Sequence, residues 1–239
     1  MTEIGKIIGI TSGKGGVGKS TVTAMLAAKL TKEGFSVGIL DGDVTGPSIP
    51  KMFGCTDKVK GSPNGLVPAV TEEGIRIMSM NGLLNNEEDA VFYRGPMIAG
   101  VVKQFYKDAD WGKLDYLLID MPPGTGDVPL TVYQMIPLDG VVIVTSPQSL
   151  VKMIVMKSYN MAKKMNVNIL GIVENYSYFK CPDNGVEYKI FGESHIEELA
   201  KELGVRLLGR LPIDSEIAGK ADSGNMFEVN PDIDISVFK

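Results

Sequence analysis

The stretch GKGGVGKS, residues 13–20, constrains the fold of this chain more than any other. It satisfies the pattern G-x-x-x-x-G-K-[ST], and it stands between an apolar run, KIIGITS at residues 6–12, and a segment of helical period that opens at Lys19. A glycine-rich loop joining a buried strand to a helix turns successive backbone N–H groups toward one point, and the positive end of the helix dipole adds to them. Gly13, Gly15, Gly16 and Gly18, with Val17 among them, form such a cradle for phosphate. The spacing puts the Lys19 ammonium within reach of phosphate oxygens and lets the Ser20 hydroxyl hold Mg²⁺, with Thr21 beside it in the first helical turn.

The helix predicted over residues 19–33 carries Val22, Met25, Leu26 and Leu30 on one face, and Gly34 is placed to end it. Apolar runs recur at residues 36–43 (SVGILDGD), 115–122 (DYLLIDMP), 140–147 (GVVIVTSP), 167–175 (VNILGIVEN) and 206–212 (RLLGRLP). Val, Ile and Leu fill both alternating positions in these runs, which is the pattern of strands buried on both faces. Strand, helix and strand in that order predict an α/β fold, a doubly wound, mainly parallel sheet. At 239 residues the chain can bury such a core without disulfides, so we expect a single domain over residues 1–239. Between residues 61 and 84 the texture changes to prolines and an Asn64-Gly65 pair, so a small turn-rich insertion is expected around residues 58–84. The methionines of LVKMIVMKSYNMAKKM, residues 150–165, read as packing groups.

Composition narrows the function classes. With 44% hydrophobic and 22% charged residues and no apolar run long enough to span a bilayer, membrane insertion is not expected. The opening MTEIGKIIGITSGKGG has neither the basic nor the apolar region of an export signal, and a cytoplasmic location follows. A net charge of −5 disfavours nucleic acid as a main partner, because phosphate contacts need a concentrated basic surface. Two cysteines, Cys55 and Cys181, and one histidine, His195, are too few soft ligands for a closed zinc site within one chain. Any metal cluster would therefore be shared between chains.

Two acidic pieces complement the glycine loop. Asp120 ends the apolar YLLID, where it can orient Mg²⁺, and the MPPGTGDVP loop after it has the glycine content of a segment that rearranges around a γ-phosphate. Asp41 and Asp43, in DGDVTGPS, follow the second strand to the same sheet edge, and one of them could position an attacking water.

The extra lysine of KGGVGK, Lys14 beside Lys19, resembles the deviant Walker A ATPases, the P-loop group of MinD, ParA, the nitrogenase iron protein and the arsenite-pump ATPase. In that group the first lysine reaches across a dimer to the partner's nucleotide, supplying in trans what an arginine finger supplies elsewhere. DGDVTGPSIPKMFG, YRGPMI, DYLLIDMPPGTGDVPLTVYQ, GVVIVTSPQ, LGIVENYSYFKCP and IFG closely resemble the Mrp (ApbC) branch, the iron–sulfur cluster carriers, from about residue 6 to residue 219.

The resemblance implies a SIMIBI-type P-loop fold, a homodimer, and ATP with Mg²⁺ as cofactors. By the same resemblance, residues 13–21, Asn175 and Pro212 bind nucleotide; Ser20, Asp43 and Asp120 hold Mg²⁺; and Lys14, Lys19 and Asp43 are catalytic, Asp43 as the water-positioning aspartate. Asn175 reads adenine, a task that suits an amide offering both donor and acceptor. In the family a Cys-Pro-x-Cys loop from each subunit binds one [4Fe-4S] cluster between them. Here the loop reads Cys181, Pro182, Asp183, Asn184, so two thiolates per dimer stand where such a cluster takes four. The implied function is a slow homodimeric ATPase that delivers clusters to apo iron–sulfur proteins. The alternative is a MinD- or ParA-like nucleotide-switched adaptor without a cluster. The short, acidic NPDIDISVFK end does not resemble the membrane-docking helix of MinD, and a metabolic kinase on the same fold would lack these loops.

Overall fold

The computed structural model describes residues 2–43, 48–63, 65–80, 95–147 and 151–239. The first part of the chain forms β1 (Glu3–Thr11), α1 (Lys19–Lys32), β2 (Val37–Asp41), α2 (Ile49–Met52), β3 (Lys60–Ser62), β4 (Gly65–Val67), β5 (Ala69–Val70) and β6 (Arg76–Met78). After it come α3 (Gly95–Asp108), β7 (Lys113–Asp120), α4 (Asp127–Met135), β8 (Gly140–Thr145), α5 (Val151–Lys164), β9 (Ile169–Lys180), β10 (Glu187–Tyr188), α6 (Ile196–Leu203), β11 (Leu207–Pro212) and α7 (Ser215–Asp222).

Among the described residues the main sheet runs β10-β9-β8-β1-β7-β2-β6-β5, and β11 also pairs with β9. The β1, β2, β7, β8, β9 and β11 ladders are parallel, while β5 with β6 and β10 with β9 are antiparallel. This is the doubly wound α/β sheet that the apolar runs predict. From β1 the chain passes through α1 to β2 on the β7 side; from β7 it passes through α4 to β8 on the other side of β1. The strand order reverses there, so a crevice opens at the carboxyl ends of β1, β7 and β8.

Alternation along the central strands feeds two cores. Ile8 and Ile10 of β1, with Tyr116 and Leu118 of β7, pack with α1 on one face; Ile7, Leu117 and Ile119 pack on the other, with Phe105 of α3 and Trp111. The predicted face of α1, Val22, Met25, Leu26 and Leu30, is buried, and so are Ala24, Ala27 and Ala28. A further segment closes over the helix: Ile233, Ile235 and Phe238 join the same core. Lys29 and Lys32 anchor that segment by donating to the carbonyl oxygens of Ile233 (2.8 Å) and Val229 (3.0 Å).

Two expectations meet a different outcome, and a third holds in part. The strand expected to end at residue 175 continues to Lys180, because its far end finds a partner in β10. Within the turn-rich stretch only β3 and β4 form a separate hairpin; β6 pairs parallel with β2, and β5 pairs with β6. Asn64 and residues 81–84 of that stretch lie outside the described residues. In α5, Val151, Ile154, Val155 and Ala162 face inward; Met161 and, just after the helix, Met165 pack partly buried against the second core, as expected of packing groups, whereas Met153 is exposed.

Candidate nucleotide site and the Cys181 hairpin

The glycine loop leaves β1 at Thr11 and enters α1 through Gly18, whose φ of 77° is left-handed. Only glycine adopts that backbone routinely. Space makes the same demand, since a Cβ on Gly18 would lie 2.1 Å from Asn175 Nδ2 and 2.9 Å from Tyr176 Oη. The buried Ser12 ties the loop to its surroundings, donating its hydroxyl to Lys14 O at 2.9 Å and accepting Gly124 N at its own carbonyl, also at 2.9 Å. Gly124 belongs to the glycine-rich segment after β7, so the two loops are joined at their roots.

At the first turn of α1 the predicted groups converge on one carboxyl. Lys19 Nζ lies 2.6 Å from Asp120 Oδ1, Ser20 Oγ donates to Asp120 Oδ2 at 2.6 Å, and Thr23 Oγ1 donates to Asp120 Oδ1 at 3.2 Å. The register explains the convergence: Asp120 is level with Ile10 of β1 and Asp41 of β2, so β7 delivers its acid beneath the loop. Lys19 is 6% exposed and Asp120 fully buried. The hard oxygens of Ser20 and Asp120 beside one ammonium form a donor set that fits a phosphate with Mg²⁺.

The acid pair expected at the end of β2 divides. Asp41 is buried, accepts Ser79 Oγ at 3.1 Å and Asp43 N at 3.3 Å, and faces inward. Burial, and then the neighbouring Asp120, push its carboxyl up to about 8 against the opposing pull of Lys19 and Ser79. At neutral pH Asp41 is therefore the protonated member, and Lys19 is left to Asp120. Asp43 is half-buried and lines a cavity of ≈260 Å³ with Gly42, Pro122, Pro123 and Gly126, so of the two acids it is the one that meets open space. Residues 44–47, the rest of the DGDVTGP loop, lie outside the described residues.

Gly15 and Gly16 are exposed at the crown of the loop, Val17 is buried beneath it, and Gly13, Lys14 and Thr21 are intermediate. Asn175 is 3% exposed and donates Nδ2 to Val17 O at 3.0 Å, which leaves its Oδ1 as the acceptor still to be used. Pro212 ends β11 opposite Tyr178 and lines two cavities, of ≈370 and ≈520 Å³; Cys181 lines the larger.

Cys181 stands at the start of a tight turn. Gly185 N donates to Cys181 O at 2.8 Å, Cys181 N donates to Val186 O at 2.9 Å, and Gly185 has φ 70°. Asn184 Oδ1 accepts Val186 N at 2.9 Å, so this residue, at the family's second cysteine position, closes the turn with its own side chain. Past the turn, Val186, Tyr188, Ile190 and Phe191 are all about half exposed. Among the described residues no three His, Cys, Asp or Glu side chains gather into a group that could hold a metal ion, at Cys181 or elsewhere.

Sequence reasoning missed two features. One is Thr23 as a third donor to Asp120, signalled by its place one helical turn after Lys19. The other is Glu174, a fully buried acid at the end of the apolar GIVEN run, which accepts Ser177 Oγ at 2.5 Å and Ser194 Oγ at 2.7 Å. An acid inside an apolar strand is the signal that could have found it.

The family model of the ParA-type, NUBPL iron-transfer P-loop NTPases matches residues 3–237. An iron–sulfur cluster carrier protein of Clostridium perfringens is 48% identical over 234 residues, which span 95% of this chain and 82% of that protein. Among solved structures, a nucleotide-binding protein of Archaeoglobus fulgidus in complex with ADP has a TM-score of 0.86 at 46% identity, covering 96% of this chain and 90% of its own. The MinD cell division protein of Aquifex aeolicus shares the fold, with a TM-score of 0.64 at 20% identity over 92% of this chain and 86% of its own.

Proposed function

Because the chain belongs to the family of iron-transfer P-loop NTPases, we propose that it is a homodimeric, slowly turning ATPase that carries an iron–sulfur cluster on Cys181 to apo iron–sulfur proteins. The observation that carries the nucleotide half of this reading is the meeting of Lys19, Ser20 and Asp120 on one buried carboxyl beneath the glycine loop. When bound, ATP supplies the phosphoanhydride to be cleaved and Mg²⁺ the charge that offsets its oxygens. Lys19 is assigned to the β and γ oxygens, with Ser20, Asp120 and Asp43 as the Mg²⁺ residues. Asp43 also accepts a hydrogen bond from the attacking water and so orients it. Lys14 is assigned to the partner's nucleotide across the dimer. Asn175, its Nδ2 held by Val17, turns Oδ1 toward an amino group, which favours adenine over guanine.

The test separates binding from turnover. Calorimetry with ATP and Mg²⁺ should show binding in wild type and in Asp43→Asn, with phosphate release lost in the latter; wild type without any affinity for ATP removes the proposal. Lys14→Ala should keep nucleotide binding in the monomer and lose ATP-dependent dimerisation, read by sedimentation.

A second reading, an adaptor of the MinD or ParA kind with no cluster, is favoured by one observation: Asn184 is committed to its own turn. Anaerobic reconstitution with iron and sulfide, with iron counted per dimer, decides between the two. Iron that is retained by wild type and lost in Cys181→Ser supports the carrier; no retained iron in either supports the adaptor.

A further inference from the structure

The hairpin that carries Cys181 is closed at its neck by one buried group. Glu174 Oε2 accepts the hydroxyl of Ser177 on the outgoing strand, and Oε1 accepts the hydroxyl of Ser194 on the returning chain. Arg210 Nε donates to the same Ser177 hydroxyl at 3.0 Å and lies 3.6 Å from Glu174. Ser194 is further fixed by accepting Ile196 N at 3.2 Å, where α6 begins. Both ends of the segment 178–193 thus meet on a single carboxyl group, and neither can shift alone without leaving a buried polar atom unpaired.

Directly after Glu174, β9 departs from regular geometry. Arg210 of β11 is level with Glu174, and Pro212 is level with Tyr178, so two steps on β11 face four on β9. Tyr176, inside this bulge, has φ 58°, a left-handed value that it shares with only Asn166 among the described non-glycine residues. Bulges re-aim a strand without breaking the ladder around them, and a residue held in a sparsely populated conformation marks a place where surroundings dictate the backbone. Here the surroundings are the phosphate loop: Asn175 bonds Val17 O, and Asn175 and Tyr176 occupy the space above the Cα of Gly18.

We infer that Glu174 is a positioning residue that makes the Cys181 hairpin one body with the Asn175–Tyr176 bulge, so that nucleotide in the glycine loop alters the setting of Cys181. The inference rests on the nucleotide-binding reading above and adds its mechanical output. A ligand that rearranges the Val17–Gly18 backbone must displace Asn175 or Tyr176, and the stapled neck passes that displacement to the hairpin as a rigid turn instead of absorbing it. Coupling of this kind requires a contiguous element with two settings that the ligand can bias.

The test uses the full, iron-free chain and the thiol as reporter. Cys181 is alkylated with iodoacetamide with and without ADP and Mg²⁺, each cysteine is followed by peptide mass, and ADP binding is measured by calorimetry on the same samples. In wild type the Cys181 rate should change by about fivefold or more on ADP binding, the lower end of ordinary coupling between sites, while Cys55 keeps its rate. Glu174→Gln and Ser194→Ala should bring the Cys181 ratio close to one with ADP still bound, and Ser194→Thr, which keeps the hydroxyl, should restore it. Ser194→Ala removes one rim hydroxyl only and carries the test if Glu174→Gln does not fold. A wild-type ratio near one with ADP bound overturns the coupling. An undiminished ratio in Ser194→Ala overturns the role of the neck and returns Glu174 to a purely structural part. Wild type that takes up no ADP fails at the earlier step, and the nucleotide reading falls with the inference.

Discussion

The phosphate-loop end and the Cys181 hairpin both border β9, and they are built on opposite principles. At the loop end Asp41, Asp120 and Lys19 are buried and bonded to side chains around them. At the hairpin Val186, Tyr188, Ile190 and Phe191 stand about half exposed on and on either side of a two-residue edge strand. Large apolar groups grouped on a surface mark a place where something else is expected to pack. One end therefore turns its charged groups inward onto one another. The other suits a half-site of the kind proposed above, and its ligand count agrees: one thiol and an amide already used in a turn.

The largest break in this contrast is predicted for Lys19→Ala. Removing the ammonium leaves the Asp120 carboxylate buried without its counter-charge, a loss on the order of 3–5 kcal/mol, and nucleotide binding should disappear with it. Chemical denaturation and calorimetry check both, and an unchanged unfolding midpoint would show that the buried pair is not what holds the loop end together.

Next comes the hairpin's missing ligand. Asn184→Cys should raise iron retention after anaerobic reconstitution toward about four irons per dimer, because two chains then supply the four thiolates of an ordinary [4Fe-4S] cluster. The cost is the Asn184 to Val186 bond, which at an exposed turn is worth about 0.5–1.5 kcal/mol at most. If wild type already retains as much iron, other ligands complete the site and the half-site description is wrong.

A smaller effect belongs to Asp41. Its folded carboxyl holds a proton to about 8, whereas the ordinary value is 3.8. The folded chain therefore binds more protons between those values, and stability falls as pH rises through that window. Asp41→Asn should flatten that slope and be the more stable protein at pH 8. Unfolding midpoints across pH 5–9 for both proteins would show it, and parallel curves would place the titrating proton elsewhere.

The smallest effect tests the exposed end. Ile190→Ser should change stability by no more than about 0.5 kcal/mol, since the side chain packs little within the chain, but should weaken self-association if that face meets a second copy. Sedimentation with ATP reads the outcome; dimers of unaltered strength would assign the apolar face to another partner.

How much of this was legible beforehand follows the same division. The glycine loop, Lys19, Ser20 and Asp120 could be placed from sequence because each depends on a local pattern: a strand, a turn, the first residue of a helix, the last residue of a strand. By spacing alone Asp41 and Asp43 are equivalent, two steps apart at one strand end; the resemblance singles out Asp43, and packing against Ser79 is what separates the buried acid from the one at the cavity. What Glu174 and Tyr176 do was illegible for another reason, even though an acid inside an apolar strand marks Glu174 as unusual. Their roles depend on a register slip between β9 and β11 and on Ser194, which returns to the neck from beyond the hairpin. Apolar periodicity says where a strand is buried and nothing about which neighbour it slides against. The place of β6 escaped similarly: short extended pieces are expected in the turn-rich stretch, but Arg76, Ile77 and Met78 do not announce that the edge of β2 takes them into the main sheet.

The segment lying over α1 gives the molecule an order of assembly. Lys6 near the start of β1 donates to the carbonyl oxygen of Phe238 at 2.6 Å, and Ile233, Ile235 and Phe238 finish the core that surrounds the first helix. On a ribosome, the helix that follows the phosphate loop is among the first elements to emerge, yet its outer side stays uncovered until residues 226–238 have been made. The earliest part of the site is thus the last to be sealed, and a chain interrupted in its final stretch presents an open apolar helix to chaperones and proteases instead of a working loop.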